Sequence, residues 1–290
     1  MELRQLITFY KITELKSFQK AAEHLGYAQS TITTQMQLLE KELDIKLFER
    51  IGRNMELTSK GQVFLEYSKK IIELSNEAKA AVTGNEIPKG SLKIGVVESL
   101  CTIRLPELLK DYRIKYPEVE VIIKVGTCSD LYHMLKRNVV DIIYILGEII
   151  ADKDLISCLC QEEDMAVLAS PLHTLKNLDR ITLEDIAGES LILTEKGCSY
   201  RGVFERMFHT KNIQPHIGLE IGSIETIKNF VMNNLGISFL PTMTVVKELS
   251  AGNLIKLNLL DYNFNIKSQV LYHKNKWLSP AMEAFINLLP

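Results

Sequence analysis

Around residue 90 the chain changes its period. Residues 1–82 carry almost no strand signal and read as consecutive helices, whereas from 90 onward short β-branched runs alternate with helical stretches. A cluster of turn formers, Thr83-Gly84-Asn85-Glu86-Ile87-Pro88-Lys89-Gly90, separates the two regimes as a hinge would. The runs LKIGVV, VEVIIKV and DIIYIL, with helices expected near 103–115 and 131–138 between them, describe βαβαβ and so a mostly parallel sheet. A second set, MAVLA, LILT, HIGLEI and GISFL, with helices near 200–210 and 224–233, repeats the pattern. Two α/β halves with a crevice between them are the expectation, in a chain whose 290 residues suffice for more than one core.

Charge narrows the function classes. Lys and Arg number 34 against 36 Asp and Glu, a formal −2, which argues against a histone-like nucleic-acid binder but leaves room for a small reading surface. The greasiest stretch, 139–150, is broken by Asp141, Gly147 and Glu148 and is too short to cross a bilayer, so no membrane partner is expected. Charges scattered through MELRQLITFYKITELKS argue against a secretory signal. Five cysteines, an odd number without a Cys-x-x-Cys pair, fit free thiols in a cytoplasmic location, with no metal and no cofactor.

Within the helical part, Leu3, Leu6, Ile7 and Tyr10 share one face. Ser17 is placed to cap a helix beginning at Phe18, and Gly26 to end it in the left-handed conformation. A third helix spans 29–43, with Ile32, Met36, Leu39 and Leu43 on one face and Ser30, Thr34, Gln37 and Lys41 opposite, beside Thr33. That outer face starts uncharged and hydrogen-bonding, as a helix entering a major groove requires; a merely solvated face reads equally well from periodicity alone. Residues 47–58 then suggest a hairpin with Gly52 at its tip and Arg50 and Arg53 placed to meet phosphate or the minor groove. Residues 1–60 hold nine Lys/Arg against eight Asp/Glu, so specificity would rest on a few side chains rather than bulk attraction. From Thr58 a long helix carries Phe64, Tyr67, Ile71, Leu74, Ala78 and Ala81 at alternating steps of three and four. This is the period of a coiled-coil seam, and it points to a homodimer rather than to packing on its own domain.

Taken together, Ser17-Phe18, Ala21-Ala22, Leu25, Gln29-Ser30, Thr33, Gln35, Leu38-Leu39-Glu40, Leu43, Leu47-Phe48, Arg50, Arg53, Leu57-Thr58 and Gly61 resemble the winged helix-turn-helix signature of LysR-type transcriptional regulators. The resemblance extends over the whole chain and implies an α/β protein. Residues 1–58 would be a winged helix-turn-helix domain, and 59–89 a dimerising linker helix and hinge. A two-lobed, periplasmic-binding-protein-like effector domain would follow, with 90–161 and 267–290 as one lobe and 162–266 as the other. It also implies a bacterial regulator working as a dimer or dimer of dimers on an interrupted, partly palindromic operator in double-stranded DNA, with RNA polymerase as a further partner. By position, Gln29, Thr33 and Thr34 would contact bases, Ser30 the backbone and Arg53 the minor groove, supported by Arg50. Members often carry Ser at the position of Thr33 and a longer polar or basic residue at that of Thr34.

Polar turns follow several strands: Glu98-Ser99-Leu100-Cys101-Thr102, Gly126-Thr127-Cys128-Ser129-Asp130, the stretch from Glu195 through Cys198 to Arg201, and Gly222-Ser223. Ligands of open α/β sheets sit off the carboxyl ends of strands, where helix N-termini favour anions. A small, anionic effector held by Ser99, Thr102, Thr127, Cys128, Ser129, Cys198, Arg201 and Ser223 is therefore the expectation, against ordinary capping at each turn. The family similarly binds small effectors at the positions of Ser99, Thr127 and Arg201.

No G-x-S-x-G, P-loop or H-E-x-x-H occurs, and His24, His173 and His216 have structural places to fill, so no catalytic step is expected. Glu162-Glu163-Asp164 reads as a solvated run. Cys198, before Arg201 at a helix start, has a setting that would lower a thiol pKa, which keeps a redox-sensing regulator as an alternative. The other alternative is a cytoplasmic small-molecule binding protein that its N-terminal helices merely dimerise.

Overall fold

The structure is a computed structural model. It describes residues 1–51, 54–83, 88–260, 262 and 264–290, leaving out the side chains of Arg50, Ile51, Asn54, Glu73, Glu77 and 80–83. The chain divides into two compact units, Met1–Glu86 and Ile87–Pro290.

The first unit runs α1 (Leu3–Leu15), α2 (Phe18–Leu25), α3 (Gln29–Leu43), β1 (Phe48–Ile51), β2 (Asn54–Leu57) and α4 (Ser59–Thr83). Ser17 caps α2 by accepting from Lys20 N, and Gly26 ends it at φ 69°. Phe9, Ile12, Ala21, Ala22, Ile32, Met36, Leu39 and Leu47 form the core. Phe9 stands 5.3 Å from Phe48 and 5.1 Å from Phe64, ring to ring, and these contacts hold the hairpin and the start of α4 against the three helices. Phe64, half-buried, therefore packs against this unit's own core at the first position of the expected stripe. Beyond it Tyr67, Ile71, Leu74 and Ala78 are exposed, with Leu74 at 61%. The side chain of Ala81 and residues 84–87 of the expected hinge lie outside the described residues.

The second unit begins with β3 (Gly90–Val96), α5 (Glu98–Ile103), α6 (Leu105–Lys115), β4 (Val119–Val125), α7 (Cys128–Lys136), β5 (Ile142–Gly147) and β6 (Leu155–Glu162). It continues with β7 (Met165–Ala169), α8 (Leu183–Ala187), β8 (Leu191–Leu193), α9 (Ser199–Thr210), β9 (Ile217–Glu220), α10 (Ile224–Met232), β10 (Ser238–Pro241), α11 (Val246–Ser250) and β11 (Ile255–Leu257). It closes with β12 (Lys267–His273) and α12 (Pro280–Ile286). One sheet has the order β4-β3-β5-β12-β6, parallel across β4, β3 and β5, with β12 antiparallel to both its neighbours. The rest of the unit holds the antiparallel β10-β7-β11 and the parallel pair β8-β9, joined through a bridge between Leu191 and Ile237. The sheets are mixed, not mostly parallel, because the chain leaves the first lobe at β6 and returns late through β12. Burial is complete along β5 and β7, as expected for strands covered on both faces.

Candidate functional site

Two surfaces concentrate the chemistry, one in each unit. In the first, α3 presents Gln29, Ser30 and Thr34 exposed, with Thr33 partly exposed and its hydroxyl donating to the Gln29 carbonyl at 2.9 Å. Ala28, at the N-cap position, offers no side-chain acceptor, so the first N–H groups of α3 are left for an outside acceptor such as a phosphate. The helix is held from behind. Thr8 donates to Gln35 at 2.7 Å, and the Glu40 carboxylate accepts from the backbone N–H of Leu47 at 2.9 Å and of Phe48 at 3.3 Å. Glu40 thereby fastens the hairpin to α3, and Thr58 completes the joint by donating to the Lys46 carbonyl at 2.7 Å. In the sequence Glu40 is legible only as a signature position, because a half-buried acceptor of two backbone donors leaves no periodic trace. Arg50 sits on β1 opposite Met55, its side chain outside the description, and Arg53 lies outside the described residues altogether.

In the second unit a cavity of about 240 Å³ opens off the carboxyl ends of β3, β4, β5, β8 and β9. Val97, Glu98, Ser99, Val125, Gly126, Thr127, Cys128 and Leu146 line one side; Thr194, Glu195, Cys198, Tyr200, Gly222 and Ile224 line the other. Four of the eight expected effector residues, Ser99, Thr127, Cys128 and Cys198, meet there. The other four do not, and each has a local reason. Thr102 is exposed on α5 and donates to the Glu98 and Ser99 carbonyls. Ser129 faces outward on the first turn of α7. Ser223 is occupied as the N-cap of α10, accepting from Thr226 N. Arg201 is 3% exposed and turned into the protein, where it donates to Glu205 at 2.8 Å, to Glu220 at 2.7 Å and to the Thr194 carbonyl. The cation invoked for an anionic effector is thus a structural ion pair.

The cavity's thiols are not activated. Burial pushes Cys128 up to about 11, and burial likewise raises Cys198 in spite of hydrogen bonds from Thr194 and the Arg201 N–H that act the other way. Tyr200, fully enclosed, is raised well above its ordinary value. The lowered thiol pKa expected at Cys198 is overturned, because desolvation outweighs the helix start.

Glu98 is the residue that sequence reasoning passed over as part of a turn. It opens α5, and its carboxylate crosses the cavity to accept from the Ile224 N–H at the start of α10, 3.1 Å away. Burial raises its pKa, as do the charges of Glu195 and Glu225, while the Ile224 bond pulls the other way; Cys101 is in turn raised by burial and by Glu98. A carboxyl raised in the folded state stabilises the fold below its unfolded value, ordinarily 4.5, and that stability is lost as pH rises through the folded value. Glu98→Gln should flatten this part of the stability curve, with less loss between pH 4.5 and neutrality than in the parent chain. Urea denaturation at a series of pH values reads it, and parallel curves for the two proteins would contradict the assignment.

A second opening at the lobe crossover is lined by Arg104, Glu162, Glu163, Asp164 and Phe264, among others. Glu163 is buried there, accepting from Ser268 at 2.9 Å with Arg104 3.4 Å away, so the run 162–164 is not simply solvated. His173 caps a turn by accepting from Leu175 N at 3.2 Å.

Comparison with known proteins finds a family match for each of the two parts of the chain. The family description "Bacterial regulatory helix-turn-helix protein, lysR family" matches residues 3–62, and "LysR substrate binding domain" matches residues 85–290. The chain is 40% identical to the uncharacterized HTH-type transcriptional regulator YwqM of Bacillus subtilis (strain 168), over 99% of this chain and 98% of that one. It is 31% identical to the uncharacterized HTH-type transcriptional regulator YfiE of Escherichia coli (strain K12), over 99% and 97%. Among solved structures, full-length CbnR complexed with its target DNA aligns with a TM-score of 0.67 at 22% identity, over 99% of this chain and 98% of that one. A full-length OxyR variant from Pseudomonas aeruginosa aligns at 0.75 and 21%, over 99% and 94%; at this identity the likeness is one of fold. The chain belongs to the LysR family of bacterial transcriptional regulators, which bind DNA through the N-terminal helix-turn-helix and carry a C-terminal effector-binding domain.

Proposed function

We propose that this regulator reads an interrupted, partly palindromic operator with α3, using Gln29, Thr33 and Thr34 on base edges, Ser30 on the backbone, and Arg50 and Arg53 from the hairpin. Two copies pair through α4, as a dimer or dimer of dimers in the bacterial cytoplasm, and RNA polymerase is the downstream partner. The functional segments are 1–58 for DNA, 59–89 for pairing, and lobes 90–161 with 267–290 and 162–266 for the effector. No catalytic step and no cofactor enter the scheme. Effector occupancy of the 240 Å³ cavity shifts the closure of the two lobes and so the spacing of the paired recognition helices. The observation that carries the reading is the exposed, uncharged, hydrogen-bonding start of α3, lacking a side-chain cap.

Footprinting over the protein's own upstream region, with a salt titration, tests it. Protection should span two half-sites. Thr33→Ala combined with Arg53→Ala should weaken specific binding by about 10- to 100-fold per lost base contact while leaving the oligomeric state unchanged. A footprint that the double variant leaves intact would remove α3 and the hairpin as the reading surface.

A further inference from the structure

The charges around the effector cavity do not balance. Glu98 and Glu195 line it from opposite sides, and among the described residues no Lys or Arg lines it. Two nearby cations are committed elsewhere, Arg201 to Glu205 and Glu220 and Lys228 to Glu225 and Glu248, while Lys196 is exposed outside the lining and its charge acts on Glu220. Among the described residues neither Glu98 nor Glu195 has a Lys or Arg partner. A further polar group waits at the same place. The Ser99 hydroxyl, on a residue 2% exposed that lines the cavity, has no hydrogen-bond partner. Buried hydroxyls are nearly always satisfied, so this one is open to a ligand atom entering the cavity.

We propose that the effector carries a protonated amine, held between the carboxylates of Glu98 and Glu195, with Ser99 completing its hydrogen bonding. This deepens the reading of the cavity as the effector site and rests on it. An anion would meet two half-buried carboxylates with no Lys or Arg lining the cavity to offset them, whereas an ammonium offsets one of the two charges and donates hydrogen bonds to both. Glu98 also explains how binding would be communicated. It is already bonded to the N-terminus of α10 across the cavity, so an amine drawn between Glu98 and Glu195 ties the two walls together through one more shared group. The cavity is smaller than the ~300–1,000 Å³ usual for drug-sized ligands, which restricts the class to small aliphatic amines and amino acids. Burial has already pushed the Glu98 carboxyl above its ordinary value, so a bound cation would favour its ionised form.

Isothermal titration of the full chain with a matched four-carbon series reads the preference: 1,4-diaminobutane, 4-aminobutyrate, 1,4-butanediol and succinate. At least one amine-bearing member should bind about tenfold or more tightly than succinate. Glu98→Gln keeps the acceptor for Ile224 N–H and removes only charge, so it should weaken amine binding by about tenfold with an unchanged fold by circular dichroism; Glu195→Gln should act likewise. Succinate binding more tightly than either amine, and improving in Glu98→Gln, would overturn the ammonium assignment while leaving the cavity as the effector site. Amine binding indifferent to both variants would place the ligand elsewhere and overturn it too. The operator footprint is independent of all these outcomes, so failure here and failure of the regulator reading are told apart.

Discussion

A chain carrying Ile71→Glu and Leu74→Glu should run as a folded monomer and protect no operator. Both side chains are exposed in the single chain, at 37% and 61%, beside Tyr67 at 58% on the same stripe of α4. An isolated copy therefore meets the new carboxylates in water, and its core of Phe9, Ile32 and Leu39 is untouched. In a paired seam the same charges are buried without partners, which costs about 3–5 kcal/mol at each such site. Every substitution occurs twice across a two-fold axis, so the pairing constant falls by several powers of ten. Sedimentation equilibrium reads the mass, and far-ultraviolet circular dichroism checks that the helices remain. A dimer persisting through both substitutions would move the interface off α4.

The second large effect is expected from Gly61→Ala. A Cβ at Gly61 would stand 2.2 Å from the Leu47 carbonyl oxygen and 3.1 Å from its carbon. The obstacle is backbone, with no flexible side chain to swing aside. That same carbonyl accepts from Thr58 N at 3.0 Å, and the Leu47 N–H is held by Glu40. Relieving the clash pulls the hairpin from α3. The loss should reach the top of the usual ~1–3 kcal/mol for overpacking, lowering the first unit's melting temperature by about 10 °C or more, with the second unit unchanged. Gly202→Ala is the control: its Cβ would meet only the tip of Arg206 at 3.6 Å, and alanine favours the helix. Calorimetry showing equal effects for the two substitutions would refute the packing argument.

How far these features were legible depended on the range of the forces involved. α2 and α3 are written in local signals, a Ser cap, a Gly stop and an uninterrupted apolar face, and the structure reproduces the expected 29–43 span. The seven strands expected from β-branched runs all form. The three missed, β6, β11 and β12, are the ones whose identity depends on distant partners: β12 acquires its place only by pairing with β5 and β6, more than a hundred residues earlier. Period places Phe64 on the same stripe as Tyr67, because spacing alone cannot tell an outward apolar residue from one that a neighbouring Phe9 partly covers. At the effector site the turns are legible in the sequence and the charge balance is not. Arg201 reads as an anion ligand by type and position, yet its partners Glu205 and Glu220 satisfy it first. Glu98 reads as a turn residue, and only the approach of Ile224 from the other lobe makes it a cavity wall.

The late return of β12 also orders events at the ribosome. The first unit is built from short-range helix contacts and one tight hairpin, so it is complete once α4 has emerged. The five-stranded sheet, by contrast, stays open between β5 and β6 until Lys267–His273 is synthesised. For most of translation a nascent chain therefore displays a finished first unit ahead of an unfinished second one. On the proposed pairing through α4, neighbouring chains on one message are able to pair before either can respond to its effector.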